Sequence, residues 1–330
     1  MKARRVRAKP YYPLSPLALP MTASSSSSPI LDAVATAERL PYADLASAIA
    51  RLLRDSSVQV PPRLVQPLSG GGSLFVMPAA DDSLAITKLI SYTPANAGTA
   101  RPAIQGDVVV FDVGTGERRL ILHGPTVTAR RTAAVSLLAA QQLAPEPQGP
   151  LLIVGAGVQG RAHLEAFVLG LDVKDVRIVS RSAASAQALA AYAQTLGVRA
   201  QVVADANAAL SDCPLVITCT PAREVVLYDL PRQDAFVAAV GAFTPQMVEL
   251  APELCRYCAT LGTVVLDTRE ADHEAGDLLQ AGLDLSRFDT LGDVIRGTRR
   301  HAAPTGGPIL FKSCGWAGWD LAAAQLAVGN

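Results

Sequence analysis

The sequence has few of the residues and runs that mark several large protein classes. It contains five cysteines and four histidines among 330 residues, and its formal net charge is zero. An odd number of scattered cysteines predicts reduced thiols and a cytoplasmic location instead of a disulfide framework. The histidines are far apart and show no metal-ligand spacing, so we expect no metal site. The sequence has no basic patch of the kind that binds nucleic acids, so we expect no nucleic acid as partner. No apolar run approaches the length of a membrane span.

One CxxC pair, Cys255 and Cys258, is present in the stretch CRYC. A structural zinc site needs a second pair or nearby histidines, and neither accompanies this one. The pair lies in a predicted helix. We therefore interpret both cysteines as structural.

The first 29 residues differ in composition from the rest of the chain. They contain five basic residues, no acidic residue, five prolines and a serine run. Such a segment buries too little apolar surface to fold, so residues 1–29 are predicted to be a disordered tail. An N-terminal segment that is rich in arginine and serine and has no acidic residue resembles an organellar transit peptide. We favour the alternative that residues 1–20 follow an upstream start codon and that Met21 begins the natural chain.

A glycine-rich loop stands out in the stretch LLIVGAGVQGRAHLEAF, which begins at Leu151. Its apolar start is typical of a strand buried on both faces. Three glycines then follow the GxGxxG spacing, which provides a tight turn, close approach of backbone to a pyrophosphate, and close packing of helix on strand. A plain glycine turn is the alternative, but a strand before the loop and a helix after it favour a dinucleotide site. The loop residues predicted to bind the cofactor are Gly155, Gly157, Val158, Gln159 and Gly160.

The next predicted strand, VRIVSRS, indicates which nucleotide binds. NAD-binding folds place an acidic residue at its end, on the ribose 2′-hydroxyl, whereas this chain has Ser180 and Arg181 there. The planar donors of Arg181 suit a 2′-phosphate, and Ser180 can donate a hydrogen bond to it. A solvated arginine at a strand end is the alternative. We predict NADPH as the cofactor, with NADH possible.

The N-terminal half has the pattern of a largely antiparallel layer. A helical stretch begins at Pro41, and five strand-like runs follow, separated by turn residues. The runs are RLVQPL, SLFVMPA, LAITKLIS, GDVVVFDV and RRLILHG. The stretch GPTVTARRTAAVSLLAAQQLA, from Gly124 to Ala144, then predicts a long helix leading into the nucleotide-binding part.

Beyond the glycine loop, strands alternate with helices, as in a doubly wound parallel sheet. The predicted fold class is α/β, with a Rossmann domain joined to a mixed, largely antiparallel α+β domain. We place the Rossmann domain at residues 126–305 and the second domain at residues 30–125 and 306–330.

Three cations in or next to the antiparallel part are candidates for binding an anionic substrate. Lys88 is flanked by apolar residues in a strand that is buried on at least one face; a strand-edge lysine facing water is the alternative. Arg131 lies near the start of the long helix, where the helix dipole disfavours a cation unless it serves an anion. Arg63 precedes the first strand, in PPRLVQPL.

Several motifs, taken in order, resemble the ornithine cyclodeaminase/mu-crystallin family. They are the glycine loop, TARRTAAVSLLA, VGAF..MVEL and ILFKSCGWAGWDLAAA. Within that family, TKL, RPAIQGDVVV, GPTVTARRTAA and VGAFTPQMVEL resemble bacterial reductases of Δ1-pyrroline-2-carboxylate and Δ1-piperideine-2-carboxylate. The resemblance covers nearly all of the chain from Leu31 to Val328.

The resemblance implies a homodimer, in which the domain of residues 30–125 and 306–330 binds substrate and forms the dimer, and a role for each candidate residue. Arg63 and Arg131 would hold anions, either the substrate carboxylate or a cofactor phosphate, and Lys88 would be the acid/base group. Further residues that the resemblance assigns to the cofactor are Val240, Gly241, Ala242 and Ser313.

Two positions depart from the family pattern. Cyclodeaminases have an aspartate where this chain has Phe243, and phenylalanine neither accepts nor donates a proton. Cyclodeamination of ornithine is therefore disfavoured. Ala103 replaces a threonine that contacts the cofactor in relatives, which removes one hydrogen bond.

These observations predict an NAD(P)H-dependent reductase that converts a cyclic ketimine carboxylate to L-proline or L-pipecolate. Arg63 would grip the carboxylate, Lys88 would donate a proton, and Phe243 would form an apolar wall. One alternative is a binding protein of the mu-crystallin type, which has no need of both Lys88 and Arg63. Another is an enzyme resembling alanine dehydrogenase, acting on an open-chain keto acid and ammonia.

Overall fold

The computed structural model describes residues 28–96, 99, 101–221, 223–299 and 306–329. The predictions for residues 1–27, including most of the expected tail, lie outside this range. Within it, no helix is long and apolar enough to cross a membrane.

The N-terminal half forms a five-stranded antiparallel sheet in the order β1-β2-β3-β4-β5, as predicted. Its strands are β1 (Leu64–Pro67), β2 (Ser73–Ala80), β3 (Leu84–Tyr92), β4 (Ile104–Asp112) and β5 (Arg118–His123). Along β3 the side chains alternate, so that Ile86, Lys88 and Ile90 are buried while Leu89 is exposed. One face of the sheet therefore packs into the core, and the other is open.

The second half forms an eight-stranded sheet in which every strand pairing is parallel. Its order is β12-β11-β13-β10-β9-β6-β7-β8. The strands are β6 (Leu151–Val154), β7 (Asp175–Val179), β8 (Arg199–Val202), β9 (Leu215–Thr218), β10 (Phe236–Ala239), β11 (Thr263–Leu266), β12 (Asp289–Thr290) and β13 (Ile309–Lys312). The predicted α/β class and the two kinds of sheet are confirmed.

Helices cover both faces of the parallel sheet and the inner face of the antiparallel sheet. They are α1 (Ala33–Glu38), α2 (Tyr42–Leu52), α3 (Gly124–Leu143), α4 (Val158–Leu171), α5 (Ala183–Thr195), α6 (Ala206–Ala209), α7 (Pro252–Leu261), α8 (Gly276–Gln280), α9 (Leu291–Arg296) and α10 (Ala317–Gly329). The predicted helices beginning near Pro41 and at Gly124 are both present as α2 and α3.

Alternation along the parallel strands produces two cores. Leu151 and Ile153 of β6 belong to one, and Leu152 and Val154 belong to the other. The first core continues into α3, α10 and the antiparallel sheet. Small alanine side chains on α3 and α10 let these two helices approach each other and the sheet closely.

The C-terminal segment corrects the expected boundary at residue 306. We assigned residues 306–330 to the antiparallel domain, but β13 pairs with β10 and β11 inside the parallel sheet. Only α10, which follows it, packs on β2 and β3. The apolar residues of β13 are buried between two parallel neighbours, and this order of strands is not visible in a local pattern. The chain thus crosses from one layer to the other between Lys312 and Ala317.

Candidate functional site

The glycine loop joins β6 to α4, and the spacing of its glycines has a steric basis. Gly155 has φ of +117°, and a Cβ there would lie 2.9 Å from the carbonyl oxygen of Cys219. A Cβ at Gly160 would lie 2.0 Å from the carbonyl oxygen of Gly155, so only glycine lets the helix start this close to the loop. Two of the three glycines are thus required by the fold itself.

Gly157 behaves differently, because a Cβ there would meet no atom within 4 Å. It is the N-cap of α4 and provides no side-chain cap, so the first N–H groups of the helix lack an intrahelical acceptor. Val158 beside it is 72% exposed. An open cradle at an uncapped helix N-terminus fits a pyrophosphate, which supplies the negative charge that these N–H groups favour.

Gln159, in the first turn of α4, has a side-chain oxygen that is buried and accepts no hydrogen bond from the described residues. A buried acceptor without a donor is costly unless a ligand or water completes it. The position of Gln159 beside the glycine loop is consistent with the predicted cofactor contact.

Ser180 and Arg181 follow β7, beside the glycine loop. Ser180 is half-buried, and its Oγ accepts a hydrogen bond from the backbone N–H of Ser182 at 3.3 Å. Arg181 is exposed and forms no ion pair with the residues that the structure describes. A cation free at this edge of the sheet suits a phosphate ligand.

The remaining predicted cofactor residues lie at the same edge of the parallel sheet. Val240, Gly241 and Ala242 follow β10, and Ser313 follows β13. Ligands of open α/β sheets bind outside the carboxyl ends of the strands, where the strand order reverses. Here that point lies between β6 and β9, and the predicted residues surround it.

Ser313 is buried, and its hydroxyl donates to Oδ2 of Asp267 at 2.8 Å. The same oxygen accepts from the backbone N–H groups of Cys314 and Gly315, each at 2.9 Å. The Ser313–Gly315 loop is therefore held rigidly, and the cofactor contact expected of Ser313 stays a prediction. A Cβ at Gly315 would lie 3.1 Å from the Arg131 guanidinium, so this loop lies between the carboxyl edge of the parallel sheet and Arg131.

Lys88 is in the central strand of the antiparallel sheet and is 2% exposed, so the alternative of an edge lysine facing water is wrong. Its Nζ lies 2.8 Å from Oδ2 of Asp320, in the first turn of α10. Arg131 on α3 approaches the other oxygen of Asp320, with 3.4 Å between Nε and Oδ1. Asp320 is therefore an anion that offsets the buried charge of Arg131 near the start of α3.

The surroundings lower the pKa of Lys88 to about 8. Burial is the largest cause, because a dry environment disfavours the charged ammonium. Asp320 raises the pKa, whereas the positive charges of Arg131 and Arg63 lower it. The outcome is a lysine that can give up its proton near neutral pH.

Arg63 lies just before β1 and forms an ion pair with Glu274, at the end of a short helix in the Rossmann half. The pair bridges the two halves of the chain. Burial raises the pKa of Glu274 and of Glu270, while Arg63 opposes both changes. Because Arg63 also influences Lys88, the three predicted cations share one electrostatic environment. A substrate carboxylate would find donors from Arg63 there.

Phe243 and Ala103 are the two residues that depart from the family pattern, in which an aspartate and a threonine stand at these positions. Phe243 follows β10 and is 44% exposed at the carboxyl edge of the parallel sheet. Ala103 immediately precedes β4, and its carbonyl accepts from the N–H of Thr93 at 2.8 Å. Neither side chain offers a donor or acceptor to a ligand.

Sequence reasoning missed Asp320 and Glu274, which neutralise the predicted cations. Asp320 carried a signal, because it is a lone charged residue in the apolar stretch GWAGWDLAAA, and a charge on a buried helix face requires a partner. Glu274 lies in a charged stretch, READHE, and had no comparable signal.

A third missed residue is Glu249, which is fully buried behind the cofactor edge. Its Oε1 accepts from the N–H and hydroxyl of Thr220 at 2.7 and 2.9 Å. Its Oε2 accepts from the N–H of Gly241 at 2.7 Å and the hydroxyl of Thr218 at 3.0 Å. This one carboxylate therefore ties the loop after β9 to the loop after β10.

We expect Glu249→Gln to weaken binding of the nicotinamide cofactor about tenfold, since an unpaired buried donor costs about 1–3 kcal/mol. Each carboxylate oxygen of Glu249 accepts from a backbone N–H, so the amide group of glutamine opposes a donor in either orientation. The two loops must then separate, and realigning them opposes binding. NADPH fluorescence titration measures the effect. Thr218→Val, which removes only a hydroxyl, is the control and should change affinity much less; equal affinities in all three proteins would contradict the expectation.

Cys255 and Cys258 are buried on α7 as free thiols, and burial raises the pKa of both. Among the described residues, no cluster of potential ligands could hold a metal ion. His163 is buried on α4, where its ring nitrogens contact the carbonyl of Gln159 and the hydroxyl of Ser136. Burial lowers the pKa of His163 to about 4, so the ring is neutral and structural near neutral pH.

Comparison with solved structures shows that the fold is an established one. The Thermococcus litoralis protein described as Delta(1)-pyrroline-2-carboxylate reductase in complex with NADH and L-proline has a TM-score of 0.83 and 24% sequence identity. The match covers 91% of this chain and 96% of that one. At this level of identity, the likeness concerns the fold.

Curated relatives are more similar in sequence. Delta(1)-pyrroline-2-carboxylate reductase 1 of Burkholderia multivorans is 39% identical over 315 residues, which cover 93% of this chain and 97% of the relative. Ketimine reductase mu-crystallin of Mus musculus is 37% identical, over 82% of this chain and 85% of the relative. The family model for the ornithine cyclodeaminase/mu-crystallin family matches residues 28–329. The motifs thus predicted the relationship correctly, and the chain belongs to the ornithine cyclodeaminase/mu-crystallin family.

Proposed function

We propose that this chain is an NADPH-dependent reductase of cyclic ketimine carboxylates. It would convert Δ1-pyrroline-2-carboxylate to L-proline and Δ1-piperideine-2-carboxylate to L-pipecolate. The observation that carries the proposal is the buried Lys88, whose pKa is lowered to about 8 beside two arginines. A proton donor next to an anion site is what reduction of a C=N bond adjacent to a carboxylate requires. The names of the Burkholderia and mouse relatives support the same chemistry.

The chain's own residues have separable tasks. Arg63 binds the substrate carboxylate with charge-assisted hydrogen bonds, and its ion pair with Glu274 holds the guanidinium in place. The Lys88 ammonium donates a proton to the imine nitrogen, becomes a neutral amine and regains a proton from water after product release. A bound nicotinamide cofactor supplies the hydride that reaches the imine carbon. Orientation of the ring between Phe243 and the cations reduces the remaining barrier.

Phe243 favours reduction over cyclodeamination. It stands where cyclodeaminases have an aspartate, and its ring neither gives nor takes a proton. It presents an apolar surface at the carboxyl edge of the parallel sheet, where the nicotinamide end of a cofactor lies in Rossmann folds. The apolar carbon ring of a cyclic ketimine fits such a wall better than the side-chain amine of ornithine does.

A substrate panel tests this function. We expect NADPH oxidation with both cyclic imines, with little turnover of pyruvate plus ammonia and no ammonia release from ornithine. Preference for pyruvate plus ammonia would make the enzyme an amino-acid dehydrogenase. NADPH binding without oxidation of either imine would make it a binding protein.

The preference for NADPH rests on Arg181, which is exposed after β7. Arg181→Asp should shift preference towards NADH, because an acidic residue repels the 2′-phosphate and binds the ribose hydroxyl. The measurement is the ratio of kcat/KM for the two cofactors. Arg199→Asp, an exposed arginine on the neighbouring strand β8, is the control and should leave the ratio unchanged. An unchanged ratio in the Arg181 variant would show that Arg181 is a solvated surface residue that does not contact the cofactor phosphate.

We further propose a homodimer formed through the open face of the antiparallel sheet. Leu64, Val76 and Leu89 lie side by side across three strands of this face. Leu64 is 56% exposed and Leu89 is 39% exposed, and Phe111 extends the apolar surface. An apolar sheet face of this kind favours association with a second copy. Sedimentation equilibrium should give twice the chain mass, and Leu89→Lys should shift the protein towards monomer; a monomeric wild type would contradict the proposal.

The five free thiols support a cytoplasmic location.

A further inference from the structure

Asp320 is the one charged residue in the helix α10. Its side chain is fully buried, as are its neighbours Trp319 and Leu321. An unpaired carboxylate in such surroundings would be strongly destabilising. Its two oxygens instead approach two different cations, Lys88 at 2.8 Å and Arg131 at 3.4 Å. A single carboxylate therefore joins β3, α3 and α10 at the substrate site.

The charges around Lys88 explain why an acidic group is needed there. Asp320 faces the ammonium from α10, Arg131 from α3, and Arg63 from the segment before β1. The residues opposite Lys88 on β2 and β4 are apolar. Without Asp320, two positive charges and a dry pocket would favour the neutral amine. A neutral amine cannot donate the proton that the imine nitrogen needs.

We propose that Asp320 is a positioning residue that keeps Lys88 protonated and in place until the imine nitrogen takes its proton. The inference rests on the proposed function, in which Lys88 is the donor. During the step an N–H bond of Lys88 breaks, an N–H bond forms on the substrate, and Lys88 becomes neutral. Asp320 keeps its contact with Arg131 throughout, so the carboxylate is not left without a partner in the pocket.

The pH dependence of kcat/KM for Δ1-pyrroline-2-carboxylate tests the proposal. In the wild type, activity should fall as the pH rises through about 8, because the ammonium of Lys88 is lost. Asp320→Asn removes the negative charge with little change in shape. In this variant the fall of kcat/KM at high pH, which we call the alkaline limb of the profile, should move to lower pH by about 1–3 units. That is the range expected for losing an adjacent opposite charge. Lowering the pH should then restore part of the turnover.

The chain offers a matched control for the loss of a buried ion pair. Lys312 and Asp277 form a second fully buried pair, with 2.7 Å between Nζ and Oδ2, in the Rossmann half. Asp277→Asn should lower the melting temperature, as Asp320→Asn does, but should not move the alkaline limb. A limb that stays at the wild-type pH in Asp320→Asn would overturn the proposal and assign Asp320 to structure alone.

A double variant keeps the test valid if Asp320→Asn folds poorly. Asp320→Asn alone leaves both Lys88 and Arg131 without their carboxylate, whereas adding Lys88→Met leaves Arg131 as the one of these two cations that lacks it. If Asp320 acts through Lys88, adding Asp320→Asn to Lys88→Met should leave turnover unchanged. A further loss equal to the one seen in the wild-type background would overturn the proposal. Normal turnover in Lys88→Met alone would instead show that Lys88 is not the proton donor, which would contradict the proposed function and not only the role of Asp320.

Discussion

Lys88→Met is expected to lower turnover of Δ1-pyrroline-2-carboxylate by about 10²–10⁴-fold, the usual cost of losing a positioned general acid. Methionine retains the length and apolar stem of the lysine, so the central strand β3 keeps its packing. Arg131 still pairs with Asp320, which prevents an isolated buried charge, although the melting temperature should fall. NADPH affinity should be unchanged because the glycine loop and Arg181 lie in the Rossmann half.

Steady-state turnover and NADPH fluorescence titration measure these effects separately. Lys174→Met is the matched control, because Lys174 is an exposed lysine paired with Asp172 on the surface. It should behave as the wild type. If the Lys88 variant keeps near-normal turnover, the imine must arrive already protonated from water, and Lys88 has no part in the mechanism.

Arg63→Met should lower kcat/KM for the same substrate roughly 10- to 100-fold, mainly by raising KM. A hydrogen bond to a charged group contributes about 1.5–3 kcal/mol, and the carboxylate is bound in the ground state as well as in the transition state. The variant should also move the alkaline limb upward, because Arg63 lowers the pKa of Lys88. The two effects together identify Arg63 as a clamp located near the proton donor.

Kinetics of the two variants across pH separate these roles. Arg256→Met, an exposed arginine paired with Glu253 on α7, is the control for removing a guanidinium far from the site. It should leave KM and the pH profile unchanged. A normal KM for Δ1-pyrroline-2-carboxylate in Arg63→Met would show that another group binds the carboxylate.

Local patterns in the sequence predicted most of the fold. A short apolar run between turn residues identified the strand around Lys88, and the GxGxxG spacing identified the turn between β6 and α4. Both signals depend on residues close together in the chain, where strand and helix periodicity operate. The place of β13 between β10 and β11 depends on which distant strands pair, and the boundary at residue 306 was wrong for that reason.

The candidate site was predictable in part. Lys88 and Arg131 were candidates because a cation in an apolar strand or near the start of a helix needs an explanation, whereas the role of Arg63 came from the family resemblance. Their partners were missed, since Asp320 is separated from Lys88 by more than two hundred residues, and Glu274 from Arg63 by a similar distance. Contacts of this kind follow from the packing of α10 and the Rossmann half on the antiparallel sheet, which local patterns do not encode.

The most direct test of the proposed reductase is to measure the product together with the cofactor. The purified wild-type protein is incubated with NADPH and Δ1-pyrroline-2-carboxylate, and L-proline is quantified against the NADPH consumed. We predict equal amounts, with the L enantiomer alone, because one hydride and one proton reach each substrate molecule in a fixed orientation. NADPH that binds tightly but is not oxidised, or is oxidised without formation of proline, would contradict the assignment.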